Sequence, residues 1–270
     1  GHDWVYSSEV QKIFGDPKPG SVISLKDFRD RPLGSAIYNP DSQIVARRIS
    51  RRKQDLDADF FDRRLRRALA LRDTMGFADP VYRLVWSEAD GLPGVVVDRY
   101  GDHFVLQTLT LAMDQRKDLI VTAMQGVFGE ITVIERNDSS IRKAEGLESS
   151  VGVLAGIWNG PITISVNGLS QEVDLLEGQK TGIYLDQLDN YATVASYAAG
   201  KTVLDCFCNQ GGFALHAAKA GAASVLAIDI SEGAVAATSA NAARNDIAVE
   251  ALEANVFDFL KDAETAERKF

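Results

Sequence analysis

The 270-residue sequence predicts a multidomain protein: a small β-barrel, then an α+β module, then an α/β unit of alternating strands and helices. Three observations predict it. Residues 1–50 hold short alternating runs broken by turn residues. Residues 82–135 read as strand, turn, strand, helix, strand. From Asp186 onward helices and strands alternate, with a pair of glycines after the first strand. These patterns suggest boundaries at 1–54, 55–165 and 166–270.

Each element has its own signal. The first region carries "SVISL", "GSAIYN" and "SQIVARRIS", punctuated by Gly15, Pro17, Pro19, Gly20, Pro32 and Pro40. Residues 55–75 read as a helix, because Phe60, Phe61, Leu65, Leu69 and Leu71 fall near one face. Asp55, Asp57 and Asp59 load its start, where the helix dipole favours negative charge. The middle region supplies "YRLVWSEADGLPGVVVDRY", "HFVLQTLT", the helical "DQRKDLIVTAMQGVF" and "TVIERND". Residues 148–170 read as turn-rich strands. The last region is expected to form helix 186–199, strand 203–207, helix 212–220, strand 224–229, helix 232–245, strand 249–254 and helix 257–263. The closing "KDAETAERKF" reads as a helix and then the start of a strand. A chain that opens on Gly and stops there is expected to be a piece of a longer protein, with its α/β unit incomplete at the C-terminus.

Composition narrows the class. Hydrophobic residues make up 46% and charged residues 25%, a balance suited to a globular chain. No apolar run approaches the roughly 18 residues that cross a bilayer. No basic-then-apolar leader opens the chain, so a cytoplasmic location is expected. Cys206 and Cys208 are the two cysteines, and His2, His103 and His216 are scattered. No structural metal is expected, and a reducing compartment is.

The net charge of −9 argues against a nucleic-acid partner for the chain as a whole. Local charge argues the other way. "RRISRRK" and "RRLRR", with Arg72, gather positive charge. Arg47, Arg48, Arg51, Arg52, Lys53, Arg63 and Arg67 are therefore candidate phosphate contacts to structured RNA, with Arg64 close to the Arg63–Arg67 face. The competing reading is a solvated helix face neutralised by Asp55, Asp57, Asp59 and Asp62.

The chemistry concentrates in "VLDCFCNQGGFALHAAKAGAASVLAIDIS", Val203 to Ser231. A strand feeds a glycine turn that opens a helix, and a second strand ends in Asp229. The turn gathers backbone N–H groups and a positive dipole end at one point. Gly211 and Gly212 allow close approach to the backbone. Asp229 stands where a carboxylate accepts both ribose hydroxyls of an adenine nucleoside. Asn255, after the next strand, is a candidate for the adenine edge, and Val256 for its face. An adjacent glycine pair is not the G-x-G-x-x-G that a pyrophosphate needs. The turn therefore favours S-adenosylmethionine, which carries no phosphate, over NAD. A buried turn without ligand, with both cysteines as small core hydrophobes, is the plain alternative.

Just upstream lies "LLEGQKTGIYLDQLDNY", Leu175 to Tyr191. Together with "LDCFCNQGGFALHAA" it closely resembles the ribosomal RNA large-subunit methyltransferase I family. These are S-adenosylmethionine-dependent enzymes that make 5-methylcytosine in large-subunit ribosomal RNA. The likeness covers nearly the whole chain. "GHDWVYSSEV" resembles the family's N-terminal PUA domain, so the first region is expected to be PUA-like. "YRLVWSEADGLPGVVVDRYGD" and "ERNDSSIRKAEGL" resemble its central domain, and the last region its Rossmann-like methyltransferase domain.

The resemblance implies roles. Lys180, Thr181, Tyr184, Asp186 and Gln187 would lie on the methionine side of the cofactor. Asp205, Phe207, Cys208, Asn209, Gln210 and Gly211 would wrap its amino acid and ribose. Asp229, with Ile230 beside it, would take the ribose hydroxyls, and Asn255 with Val256 the adenine. Leu188 and Tyr191 depart from the family, which commonly has arginines there.

Methylating cytosine C5 requires a thiolate that adds to C6 and a base that removes the C5 proton. In the family that cysteine lies downstream of a D-P-P-x-F stretch. Cys206 and Cys208 fall on the cofactor side, so no catalytic residue is expected in this chain, and the chain by itself is expected to be inactive. Two other functions compete: a non-catalytic RNA-binding protein with a retained pocket, and an NAD-dependent dehydrogenase. Whether the protein forms a homodimer is open at this level.

Overall fold

The computed structural model describes residues 2–77, 79–178 and 181–270. It divides into two compact units, Gly1–Asn159 and Gly160–Phe270.

The first unit opens with β1 (Trp4–Val5), β2 (Val22–Lys26), β3 (Pro32–Tyr38) and β4 (Ala46–Ser50). They form an antiparallel sheet in the order β1-β4-β3-β2. At Gly34 a Cβ would stand 2.8 Å from the Arg51 Cα, so only glycine lets β3 pass the end of β4.

Helix α1 (Ala58–Met75) follows. It begins three residues later than the acidic run suggests, because Asp57 is its N-cap and accepts from the Phe60 N–H at 2.8 Å. Gly76 ends it in the left-handed conformation. Phe60, Phe61, Leu65 and Ala68 are buried, while Leu71 is exposed and Leu69 half-buried. The apolar stripe is therefore narrower than the one read from sequence.

A mixed sheet completes this unit: β5 (Val81–Trp86), β6 (Val95–Tyr100), β7 (His103–Thr108), β8 (Thr132–Asn137) and β9 (Ser150–Ala155), in that spatial order. β7 and β8 are parallel, and α2 (Leu111–Asp114) and α3 (Lys117–Phe128) make the crossover. One core joins Ile37 and Ile49 of the first sheet, the apolar face of α1, and Leu84, Val97, Phe104 and Met124. Buried Glu145 ties the same parts together, accepting from Asn39 Nδ2 at 2.9 Å and Ser42 Oγ at 2.8 Å.

The second unit starts with a hairpin of β10 (Ile162–Val166) and β11 (Leu169–Val173). Asn167 and Gly168 both have positive φ, the pair that a two-residue turn matched to strand twist requires. A short 3-10 turn at Leu185–Gln187 leads into α4 (Leu188–Ala195). Then come β12 (Thr202–Cys206), α5 (Gly212–Lys219), β13 (Ser224–Asp229), α6 (Glu232–Arg244), β14 (Glu250–Glu253) and α7 (Val256–Thr265). The three strands are parallel in the order β12-β13-β14, and each pair is joined through a helix. Asn241 of α6 and Asn245, its C-cap, bond the edge of β11: Asn245 Oδ1 accepts from the Ser170 N–H at 2.8 Å, and Asn241 Oδ1 from the Glu172 N–H at 3.1 Å. The strand start expected at the end of the chain is not formed, and residues 266–270 carry no strand.

Candidate functional site

The glycine turn follows β12, and its backbone is unusual. Phe207 and Asn209 have φ of 60° and 50°, and Gly211, the N-cap of α5, has 82°. Left-handed conformation costs a non-glycine residue about 1 kcal/mol or more, and such strain gathers at binding sites. Several bonds hold it in place. The Cys208 N–H donates to Ile228 O at 3.0 Å. The Asn209 N–H donates to Asp229 Oδ2 at 2.9 Å, and the Ser231 N–H to Asp229 Oδ1 at 3.0 Å. Asp229 thus clamps the turn to the tip of β13, and each of its oxygens keeps a further lone pair.

Two buried residues of α6 support the turn from below. Thr238 Oγ1 donates to Asn209 O at 3.0 Å, and Asn241 Nδ2 to Gln210 O at 3.4 Å. Neither was among the sequence candidates. Their signal was a pair of polar residues three apart on a helix face that must be buried. Gly211 is required here, since a Cβ would stand 2.8 Å from Thr238 Cγ2.

Asp205 lies at the centre. It is 8% exposed, and its Oδ2 accepts from the Ala214 N–H at 3.0 Å. Burial pushes its carboxyl up from 3.8 to about 6; the Asp229 charge adds to the rise and the Ala214 bond opposes it. Cys208 is buried, and burial pushes its thiol up to about 11. Cys206 is raised as well, by burial and then by the Asp205 charge. Neither cysteine has thiolate character near neutral pH.

The segment preceding α4 reaches the turn through Gln210, whose Nε2 donates to Gly182 O at 3.5 Å. Gln210 Oε1 is buried and has no hydrogen-bond partner among the described residues. Thr181 is buried, Tyr184 and Gln187 are half-buried, and Asp186 is exposed. Gln187 Oε1 accepts from Asn190 Nδ2 at 2.9 Å. Lys180 lies outside the described residues.

The adenine candidates differ from the sequence reading. Asn255 caps α7, its Oδ1 accepting from the Phe257 and Asp258 N–H groups, which leaves its amide N–H₂ for other partners. Val256 is 2% exposed and packs with Leu226 and Ile228, so it belongs to the core and offers no free face. The exposed apolar groups nearby in sequence are Ile230, Phe207 and Phe257, the last two with rings 5.7 Å apart.

Tyr191, one of the two departures from the family, is a packing residue. It is buried, with its ring 4.7 Å from Phe213 and 5.1 Å from His216. Burial pushes its hydroxyl up to about 12. A Cβ on Gly212 would overlap the Tyr191 ring. Gly212→Ala is therefore expected to cost about 1–3 kcal/mol, read as a lower urea midpoint. An unchanged midpoint would show that the ring moves aside freely. Leu188, the other departure, opens α4 and is half-buried.

The basic candidates split into two groups. Arg47 is paired with Glu88 at 3.1 Å and Glu145 at 3.5 Å, and Arg48 with Asp3 at 2.7 Å. Arg63 is paired with Asp59 and Arg66 with Asp62, as the solvated-face reading expects. Arg47 and Arg48 are therefore structural, which corrects their place among the phosphate contacts. Arg51, Arg52, Lys53 and Arg67 are exposed.

Residues 1–51 match a PUA-like domain and residues 137–261 an S-adenosylmethionine-dependent methyltransferase. The ribosomal RNA large subunit methyltransferase I of Photobacterium profundum is 39% identical over 97% of this chain and 68% of its own length. That of Shewanella frigidimarina is 40% identical over 96% of this chain and 68% of its own length. A solved methyltransferase complexed with SAH (S-adenosylhomocysteine) is 25% identical, with a TM-score of 0.82 over 99% of this chain and 69% of that one. A Streptococcus mutans protein described as an S-adenosylmethionine-dependent methyltransferase gives a TM-score of 0.80 at 25% identity, over 98% of this chain and 69% of that one.

Proposed function

The chain belongs to the ribosomal RNA large subunit methyltransferase I family, and from that premise we propose that it holds S-adenosylmethionine at the turn after β12 for methylation of large-subunit ribosomal RNA. The observation that carries the reading is the Asp229 clamp, a carboxylate bonded to the Asn209 N–H with lone pairs to spare. The site fits the cofactor on its own chemistry. Gln210 Oε1 is a buried acceptor without a donor among the described residues, and the left-handed run Phe207, Asn209, Gly211 is a strained cradle.

When bound, the cofactor supplies a methyl group on a sulfonium centre. Asp229 accepts the ribose hydroxyls. Asp205 would meet the ammonium of the amino-acid end, and Gln210 with the Thr181–Gln187 segment would hold the methionine side. Asn255 offers its amide N–H₂ to the adenine edge while its oxygen caps α7, and Ile230 supplies the apolar face in place of Val256.

The target is cytosine C5, and the protein works in the cytoplasm. A C5 transfer needs a thiolate, and Cys208 at about 11 and the raised Cys206 are poor sources of one. Neither cysteine is therefore placed as the nucleophile. Calorimetry with S-adenosylhomocysteine in one cell and NADH in another tests the reading. Saturable binding of the first alone is expected. Binding of NADH instead would overturn the choice of cofactor, and methyl label incorporated into cytosine by this chain would overturn the exclusion of both cysteines.

A further inference from the structure

The first unit carries a groove of about 420 Å³ bounded by the end of β4, helix α1 and the turn that runs from Glu88 to Pro93. Three carboxylates line it, and each already has a cation. Asp3 is paired with Arg48 at 2.7 Å. Glu88 is paired with Arg47 at 3.1 Å and also accepts from Trp4 Nε1 at 2.7 Å. Asp90 holds Arg72 with two bonds, 2.7 and 2.8 Å. Three further arginines line the same groove, Arg51, Arg64 and Arg67. Among the described residues none of the three has a carboxylate within ion-pair distance. The lining thus carries four arginines against three carboxylates in a chain whose total is −9, and Arg51, Arg64 and Arg67 are the cations left over once the carboxylates are paired.

Arg64 is the built part of the groove. It is half-buried, its Nη2 donates to Ile49 O at 2.9 Å, and its guanidinium lies 5.2 Å over the Phe60 ring. Gly91 makes room for it, since a Cβ there would stand 2.8 Å from Nη1. Burial, and then the like charges of Arg67 and Arg63, hold its guanidinium below its ordinary range. A fixed, half-desolvated guanidinium with no counter-ion is costly alone and favourable once an anion arrives. Its orientation is set before binding, so little side-chain freedom is lost on contact.

We propose that this groove seats phosphate groups of the RNA, with Arg64 as the fixed contact and Arg51 and Arg67 as the mobile ones on either side. The proposal rests on the RNA reading above and sharpens it. It moves the contact from the whole basic run to three residues, one of which the charge pattern had left at the margin. Planar guanidinium groups suit phosphate oxygens because two parallel N–H donors meet two acceptors. Such contacts fix the position of RNA without reading its bases.

The test is fluorescence anisotropy with a labelled RNA stem-loop, using the full chain across a range of salt. The variants are Arg51→Gln with Arg67→Gln, then the same with Arg64→Gln, and Arg52→Gln with Lys53→Gln as neighbours outside the groove. Arg51 and Arg67 are exposed, so the double variant folds even if loss of Arg64 disturbs the core. The triple variant is expected to bind about 100-fold more weakly and the double variant about 10-fold. The slope of log K against log salt should fall by about two for the triple variant. The Arg52 and Lys53 pair should change affinity less than about twofold. Wild type that binds RNA while the double variant binds equally well would overturn the groove and leave the RNA reading standing. A loss confined to the Arg52 and Lys53 pair would do the same. Wild type without affinity for RNA would overturn both.

Discussion

Asp205→Asn is expected to make the protein more stable at neutral pH and to remove most of its affinity for S-adenosylhomocysteine. The carboxyl of Asp205 is 8% exposed and pushed up to about 6 from 3.8, first by burial and then by the charge of Asp229. In the unfolded chain it releases its proton near the ordinary value. Between about pH 4 and 6 the folded protein therefore holds a proton that the unfolded chain has lost. Stability from this group is greatest at the acid end, falls as pH rises through that window, and is flat above it. A gap of about two units corresponds to a cost of about 3 kcal/mol at pH 7.5. Asparagine carries no charge there, and its Oδ1 still accepts from the Ala214 N–H, which Asp205 holds at 3.0 Å. Denaturant titration should show the gain at pH 7.5 and its disappearance at pH 4. A variant no more stable than wild type at pH 7.5 would show that the buried charge is not a burden. Binding should move the opposite way. A carboxylate facing an ammonium contributes about 1.5–3 kcal/mol, so affinity should drop at least tenfold. Wild-type affinity should also weaken as pH falls below about 6.

The second large effect is expected at Asp229. Asp229→Asn should weaken S-adenosylhomocysteine binding about 100-fold, because the two ribose hydroxyl contacts proposed for this charged acceptor would be changed together. It should also loosen the turn. The native oxygens accept from the Asn209 N–H at 2.9 Å and the Ser231 N–H at 3.0 Å, and an amide N–H₂ would meet one of those donors head-on. An orphaned donor of this kind costs about 1–3 kcal/mol. Calorimetry and a thermal melt of the same sample separate the two effects. Unchanged affinity would mean that the ribose is read by another residue.

The α/β unit was legible in the sequence because its signals are local. Strand 224–229 has the bounds expected, and helix 212–220 ends one residue early, at Lys219. Short apolar runs between glycines have few other ways to fold. The position of Asp229 at the tip of its strand was legible for the same reason, since strand plus turn plus strand fixes its distance from the glycines. What escaped depends on the third dimension. "RRISRRK" reads as one basic run, yet Arg47 is neutralised by Glu88 and Glu145, far along the chain. Val256 was assigned an outward face, but α7 starts there and turns it onto Leu226 and Ile228. Thr238 and Asn241 looked like ordinary helix residues. Only the folded turn shows that its carbonyls need donors from α6.

The contact between Gly212 and Tyr191 also bears on how such a chain can change over generations. The tyrosine ring occupies the space that any side chain at 212 would take. The two positions are therefore one heritable choice rather than two. A lineage that first shortens residue 191 opens the way for a side chain at 212, whereas the reverse order passes through a weakened ancestor. A large ring at 191 and glycine at 212 should therefore travel together.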